Sequence, residues 1–336
     1  MSRPRDPVER RADDDRDLQG IATWEAESVF DKFWVVLYSL LVSSARGLLI
    51  LLGLAIFGLQ VFAGAIAGPE VAVFTLLSVV PALLLAVYVW YADVTTPEPL
   101  GLLAVTFVLG VLFAGFAAVI NTLVNAGLGA LGLTSGFVGF VFQIITFFVV
   151  VGPIEETVKL LAVYFYAYRS SRFDAVVDGA VYGAVAGLGF ATIENAIYIS
   201  RPLQGVSDPL NLVATGSTIA AVRGLAGPGH VIYSAFAGYY LGLAKFNPER
   251  AGPLVLKGLT IAALIHAFYN SLSSVVPTVI ATVTGLPSFV ALVAFIVVFD
   301  GIFILILYVK LDRYRNAYHD VYEEGEHQPE LTEFDP

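Results

Sequence analysis

Two neighbouring acids interrupt a long apolar run in the stretch Gly152-Pro153-Ile154-Glu155-Glu156-Thr157-Val158-Lys159. At the centre of a membrane helix, an ionised acid costs about 2.5–3.5 kcal/mol on insertion scales, and two adjacent acids also repel each other. Lys159 lies four residues after Glu155 and three after Glu156, so the three side chains share one face of a helix. The stretch therefore predicts a buried polar site that a cation partly offsets.

The rest of the chain has the composition of a multispanning membrane protein. Of its 336 residues, 57% are hydrophobic and only 14% are charged, which is outside the range of ordinary soluble domains. A helix needs about 20 residues to cross the hydrocarbon core. We therefore predict an all-α polytopic membrane bundle of about eight transmembrane helices, roughly at 46–67, 71–91, 100–124, 137–167, 175–199, 212–245, 254–274 and 286–309.

The ends of the chain carry most of its charge. Residues 1–32 are rich in Asp, Glu and Arg and predict a disordered cytosolic tail, whereas 310–336 predict a second acidic cytosolic tail, so that 33–309 form the transmembrane domain. The formal net charge of −10 belongs mainly to these tails, and we expect no nucleic-acid partner. Basic residues follow the even-numbered spans, which predicts a multi-pass protein of the cell membrane with both termini cytoplasmic.

Small residues predict a close helix contact in the fifth span. Gly179, Gly183 and Gly187 recur every four residues, a pattern that lets membrane helices approach closely. Glu194 follows Gly187 by two helical turns, so a helix buried along its glycine face would carry this acid into the bundle.

The sixth span is too long for a single crossing. Its roughly 34 residues would measure about 51 Å as one helix, against a core of about 30 Å. We therefore predict a break at the glycine- and proline-rich segment 224–229. His230 would then begin a half-helix whose free amides could bind a developing negative charge.

Polar residues of four spans are predicted to meet at one depth. Counting about 1.5 Å per residue from the cytoplasmic ends puts Glu155, His230 and the pair His266 and Asn270 at about 17–22 Å, with Glu194 somewhat further out. Each also has a plainer interpretation, as an internal ion pair, a buried hydrogen bond or packing at a helix break. Other intramembrane polar residues are interpreted as structural: Asn121, Asn125, Gln143 and Asp300.

Four motifs resemble those of the PrsW family of intramembrane proteases, which is related to the CAAX prenyl endopeptidases. Glu155-Glu156-x-x-Lys159 resembles the family's E-E-x-x-K/R motif, and Phe190-Ala191-Thr192-Ile193-Glu194-Asn195 resembles F-x-x-x-E-N. His230 falls on the third motif and His266-x-x-x-Asn270 on the fourth. Asp93 with Pro97-Glu98-Pro99 resembles the family's juxtamembrane segment, so the resemblance covers about residues 90–275.

The resemblance implies an intramembrane endopeptidase that cleaves membrane-embedded or juxtamembrane substrates, an anti-sigma factor in bacterial members. It implies catalytic roles for Glu155, Glu156, Glu194, His230, His266 and Asn270, with Lys159 and Asn195 supporting them. The absence of cysteine excludes a thiolate nucleophile. Water activated by glutamate, with His266 and Asn270 as oxyanion donors, is favoured slightly over a zinc ion held by Glu155, Glu194, His230 and His266.

Two other classes of function stay open on the sequence alone. A transporter for an ion or small solute also uses polar midplane residues and a broken helix, although the chain shows no internal repeat. A catalytically silent scaffold could bind other membrane proteins through the same cavity, but the full motif set favours an active enzyme.

Overall fold

The computed structural model describes residues 26–62, 64, 68–95 and 97–326, and these residues form helices without any strand. The predicted all-α class is therefore confirmed. The helices are α1 (Val29–Phe62), α2 (Pro69–Tyr91), α3 (Leu100–Ala130), α4 (Gly136–Thr146), α5 (Gly152–Phe165), α6 (Val176–Leu203), α7 (Pro209–Phe246), α8 (Ala251–Ser273), α9 (Val276–Thr284) and α10 (Ser288–Glu326).

Within the described part of the chain, seven helical segments are long and apolar enough to cross a membrane. They are Ser44–Phe62, Pro69–Tyr91, Leu100–Ala130, Gly136–Arg169, Val176–Leu203, Pro248–Thr284 and Ser288–Asp320. The predicted sixth span, α7, does not reach this standard, because its many glycine, serine, threonine and tyrosine residues lower its mean hydropathy. Helix α7 packs against α2, α6 and α8, so protein rather than lipid surrounds much of its surface.

Helices α6 and α7 form the closest contact of the bundle, along the predicted glycine pattern. A Cβ atom added to Gly179, Gly183 or Gly187 would collide with the α7 backbone carbonyls of, in that order, Gly238, Ser234 and His230. The two helices are therefore antiparallel: each step of four residues forward along α6 corresponds to a step of four residues backward along α7. Only glycine allows this approach, and it brings His230 directly onto α6.

Helix α6 is the centre of the bundle. Of its most apolar 18-residue window, 89% is buried, because its other faces also carry close contacts. Gly110 of α3 lies against the carbonyl of Ala186, and Gly189 of α6 lies against the carbonyl of Phe107. A helix buried on all sides cannot move a side chain far, which makes α6 a rigid base for Glu194.

The predicted break in the sixth span is wrong, because α7 runs without interruption from Pro209 to Phe246. Pro228 removes one backbone donor, and its ring faces the carbonyl of the residue four before it, which is Gly224. Packing of Gly224 against Ser78 and of Gly227 against Ala82 of α2 holds the segment helical. His230 therefore does not begin a half-helix, and it has no free helix-terminal amides to offer.

The chain ends also differ from the prediction. Helix α1 already begins at Val29, and α10 continues to Glu326, past the predicted end of the last span at 309. Residues 1–25 of the predicted amino-terminal tail and 327–336 of the carboxy-terminal tail lie outside the described residues.

An irregular turn positions the two adjacent acids. Phe147–Val151 form a π-helical turn between α4 and α5, and such turns often occur at functional sites. Gly152 follows at once, and a Cβ atom there would lie 2.6 Å from the carbonyl oxygen of Ala263 in α8. This contact brings the start of α5 against α8 beside His266.

Candidate active site

Most of the predicted site residues line one cavity of about 650 Å³. Its wall includes residues from six helices and from the π-helical turn. Among them are the predicted Glu155, Glu194, His230, His266 and Asn270, together with Asn121, Tyr198, Arg223 and Tyr233. A cavity of this volume is within the range of small-molecule and peptide sites, and it combines apolar walls with convergent polar groups.

Glu156 and Lys159 lie behind the cavity wall rather than on it. Glu156 is completely buried, and its Oε1 accepts a hydrogen bond from Lys159 Nζ at 2.7 Å. The same Oε1 lies 2.9 Å from Nδ1 of His266, and Ser234 Oγ donates to Oε2 at 3.4 Å. Because an ionised carboxylate only accepts, Nδ1 of His266 carries a proton. Glu156 is therefore a positioning residue that fixes the orientation of His266.

Glu155 lies on the cavity wall, and only one of its two carboxylate oxygens has a hydrogen-bond partner among the described residues. Its Oε1 accepts a hydrogen bond from Asn121 Nδ2 at 3.0 Å, whereas its Oε2 is buried without a hydrogen-bond partner among the described residues. The closest ring nitrogen is Nε2 of His266, 3.8 Å from Oε2. That distance is too long for a direct hydrogen bond, so Oε2 has no hydrogen-bond partner among the described side chains.

The sequence interpretation of Asn121 as a packing residue is wrong, because its amide orients Glu155. The interpretation of Asn125 and Gln143 as packing residues stays a prediction. Asn125 lies on the cavity wall, and Gln143 is not among the residues that line the cavity.

Two residues of α7 contact the carboxylate of Glu194. Arg223 Nη2 lies 2.5 Å from Glu194 Oε2, and His230 Nε2 lies 2.9 Å from the same oxygen. Arg223 Nε also donates to Oδ1 of Asn195 at 2.8 Å, and Asn195 Nδ2 donates to Ser78 Oγ at 3.0 Å. Asn195 thus supports the site through Arg223, by linking α6, α7 and α2.

Arg223 was not singled out in the sequence, although the glycine pattern locates it. In the antiparallel seam, His230 lies opposite Gly187. Seven residues beyond Gly187 is Glu194, and seven residues before His230 is Arg223. An arginine inside a membrane helix also requires a partner, so this pair could have been found.

His230 joins the two halves of the site. Lys159 Nζ lies 2.9 Å from its Nδ1, and because Lys159 is a donor, Nδ1 accepts and the ring proton is on Nε2. Nε2 then donates to Glu194. A continuous chain of polar contacts, here called the polar network, therefore runs through Arg223, Glu194, His230, Lys159, Glu156 and His266.

Aromatic rings hold His266 in place. The ring of Tyr233 stacks on it at 5.1 Å between centroids, with an interplanar angle of 25°. Asn270 lies one turn further along α8 on the same cavity. Asp300 of α10 is not part of the cavity wall; it is buried, with Oδ1 unpartnered among the described residues.

Three side chains of the site have the donor types that zinc prefers. Glu155, His230 and His266 each bring one ligand atom within 4.8 Å of the others, and two histidines with one glutamate form a known catalytic zinc set. Glu194, the fourth predicted ligand, is not part of this group. It is paired with Arg223 instead.

The proton positions fit a metal less well than the donor types do. Both ring nitrogens of His230 are already engaged, Nδ1 by Lys159 and Nε2 by Glu194. Only Glu155 Oε2 and His266 Nε2 remain without a hydrogen bond to another described side chain. A metal at all three residues would require His230 to give up one of its two contacts.

Comparison with known proteins points to one family. The family model described as "PrsW family intramembrane metalloprotease" matches residues 98–302, more than half of the chain. A relative named Protease PrsW from Halalkalibacterium halodurans is 28% identical over 196 residues, 58% of this chain and 80% of the relative. Proteins of the same name from Geobacillus kaustophilus and Bacillus subtilis are 30% and 29% identical, over 59% and 57% of this chain and 79% and 78% of theirs. No solved structure matches the chain.

Proposed function

The chain belongs to the PrsW family of intramembrane metalloproteases, and from this premise we propose that it hydrolyses peptide bonds in membrane-embedded or juxtamembrane segments of other membrane proteins. Its relatives are named proteases. The observation that carries the proposal for this chain is the unpartnered Oε2 of Glu155, a buried carboxylate oxygen on the cavity wall 3.8 Å from Nε2 of His266.

Glu155 is the general base of the proposed reaction. It takes a proton from a water molecule as the water oxygen bonds to the carbonyl carbon of the substrate. It then delivers that proton to the nitrogen of the scissile bond as the carbon–nitrogen bond breaks. Its other oxygen stays on Asn121, which fixes the orientation of the carboxylate. The products are a carboxylic acid and an amine, and the proton is conserved.

His266 and Asn270 are the proposed donors to the negatively charged oxygen of the tetrahedral intermediate. Glu156 accepts the proton on Nδ1 of His266, so the ring donates to the substrate oxygen through Nε2 when both nitrogens carry a proton. Asn270 offers an amide from the same helix face. Donors of this kind act mostly in the transition state.

Glu194, His230 and Lys159 are proposed to support this machinery through contacts rather than to touch the reacting atoms. Lys159 neutralises Glu156, and His230 links Lys159 to Glu194. The family description includes the word metalloprotease, but the engagement of both nitrogens of His230 favours water activated by glutamate without zinc.

The decisive experiment compares two buried acids. Purified protein in detergent is given a library of single-span peptides, and the products are identified by mass spectrometry. Glu155→Gln keeps the shape of the side chain and removes the base, so we expect cleavage to fall by about 10²–10⁴-fold. Asp300→Asn is the matched control, because it alters a buried intramembrane acid that does not line the cavity.

Retained cleavage by Glu155→Gln would remove Glu155 from the role of base. If Glu156→Gln alone is inactive while Glu155→Gln is active, the two acids exchange roles. Should no membrane peptide be cleaved by the wild-type protein while a solute accumulates in proteoliposomes, the transporter class would replace the peptidase.

We also propose that the protein lies in the cell membrane with both termini in the cytoplasm, since basic residues cluster after the even-numbered predicted spans. The bacterial resemblance favours an anti-sigma factor as substrate. Capture of uncleaved membrane proteins by Glu155→Gln in intact cells, followed by mass spectrometry, tests the substrate class. Reporter fusions to each terminus test the orientation.

A further inference from the structure

Three acids outside the cavity meet where the connection between α2 and α3 reaches the start of α6. Asp93 and Glu98 belong to the connection, and Asp178 is in the first turn of α6. One carboxylate oxygen of each lies within 4.8 Å of the others. None of the three lines the active-site cavity. We call this group the acid cluster.

Local hydrogen bonds hold each acid in position. Asp178 Oδ2 accepts the backbone N–H groups of Asp174 and Ala175 at 2.7 and 2.8 Å. Asp93 Oδ1 accepts the N–H and the hydroxyl of Thr95 at 2.9 and 2.7 Å. The hydroxyl of Thr95 also lies 3.5 Å from Oδ1 of Asp178, and thus links the two acids.

Glu98 is the most deeply buried member of the connection. Only 3% of its surface is exposed, and its Oε2 accepts a short hydrogen bond from the hydroxyl of Tyr182. Its other oxygen, Oε1, is buried without a hydrogen-bond partner among the described residues, as is Oδ2 of Asp93. Two buried oxygens, from two acids of the same cluster, therefore have no hydrogen-bond partner among the described residues.

No basic side chain of the described part of the chain forms an ion pair with these three acids. Lys245 is near enough for its charge to be felt by Glu98 and Asp178. Its Nζ, however, donates to the carbonyls of Tyr168 and Ser170 at 2.7 and 3.2 Å. The cluster therefore gathers three acids without a direct cation of its own.

The pKa values of the two acids in the α2–α3 connection are raised. Burial, with repulsion from Asp178 and Asp93, raises the pKa of Glu98 to about 8. Burial also raises the pKa of Asp93.

We propose that Asp93, Glu98 and Asp178 bind one hard divalent cation, Mg²⁺ or Ca²⁺. All three donors are carboxylate oxygens, which these ions prefer over nitrogen or sulfur. The ion would tie the α2–α3 connection to the start of α6, the central helix of the bundle. This site is separate from the peptidase chemistry and does not depend on it.

Terbium(III) is a suitable probe, because it replaces Ca²⁺ at oxygen sites and its luminescence is sensitised by a nearby tyrosine, here Tyr182. The full chain is purified in detergent, freed of metals and titrated with terbium. We expect saturable luminescence that Ca²⁺ or Mg²⁺ displaces, and the more effective competitor identifies the ion. Glu98→Gln should weaken binding at least tenfold, which by itself corresponds to about 1.4 kcal/mol.

Two control variants locate the binding. Glu249→Gln removes an exposed acid and Glu155→Gln removes the cavity acid, so both should bind terbium as the wild type does. Asp93→Asn provides a second test if Glu98→Gln does not fold. Absence of saturable binding, wild-type affinity in both the Glu98→Gln and the Asp93→Asn variant, or loss of binding in Glu155→Gln alone would each overturn the proposal.

Discussion

The polar network and the acid cluster both gather buried acids, but they balance charge in opposite ways. In the polar network, Glu156 has Lys159 and Glu194 has Arg223, each in direct contact. In the acid cluster, two oxygens have no partner among the described residues, and no ion pair to a basic residue is formed there. A site that carries its own cations has little need of a metal, whereas a site of acids alone is completed by an ion from solution.

The largest effect is expected when the internal cation of the polar network is removed. Lys159→Met leaves the fully buried Glu156 without its cation, and we expect a loss of about 3–5 kcal/mol in the free energy of unfolding. The double variant Lys159→Met with Glu156→Gln should recover much of that loss. Denaturant or thermal unfolding in detergent measures both. A Lys159→Met protein as stable as the wild type would mean that Glu156 is neutral in the folded state.

The next effect concerns the part of the site that faces the cavity. His266→Ala and Asn270→Ala should each remove roughly 2.7–4 kcal/mol of transition-state stabilisation. We therefore expect each variant to lower kcat by about 10²–10³-fold. Capture of uncleaved substrate should survive, because these donors act after binding. If capture is lost as well, His266 and Asn270 build the substrate groove instead.

A smaller effect is expected at the second cation of the network. Arg223→Lys keeps the charge near Glu194 but removes the bond from Nε to Asn195, and should cost roughly 0.5–1.5 kcal/mol of stability. The melting temperature and kcat/KM report it, with the exposed Arg172→Lys as the matched control. Equal behaviour of the two variants would show that only the charge at 223 matters.

The smallest effect on catalysis is expected from chelation, which separates the two sites most directly. Exhaustive removal of divalent ions should leave peptidase activity unchanged and elemental analysis should find less than one zinc per chain. The same treatment should lower the melting temperature, and Mg²⁺ or Ca²⁺ should restore it in the wild type but not in Asp93→Asn. Loss of activity that zinc alone restores would make Glu155, His230 and His266 metal ligands.

Contacts that follow from the periodicity of a single helix could be predicted from the sequence. The spacing of Glu156 and Lys159 predicted their contact, and the glycines of α6 predicted its close neighbour. Both follow from the geometry of a single helix. The sequence thus indicated the main residues that line the cavity.

Contacts between helices were harder to predict, because they depend on which helices become neighbours. Asn121 of α3 orients Glu155, and no pattern near Asn121 indicates that α3 lies beside α5. The predicted break of α7 failed for the same reason. Segment length and proline content favour a break in an isolated helix, whereas contacts of Gly224 and Gly227 with α2 keep it continuous.

The low hydropathy of α7 bears on how the protein is made. A segment with that composition gains little by entering lipid alone as it leaves the translocation machinery. Its glycines match those of α6, the helix synthesised just before it, and the two are antiparallel. We therefore expect α6 and α7 to enter the membrane together as a hairpin, so that a bulky residue at Gly183 would impair biogenesis before it could affect cleavage.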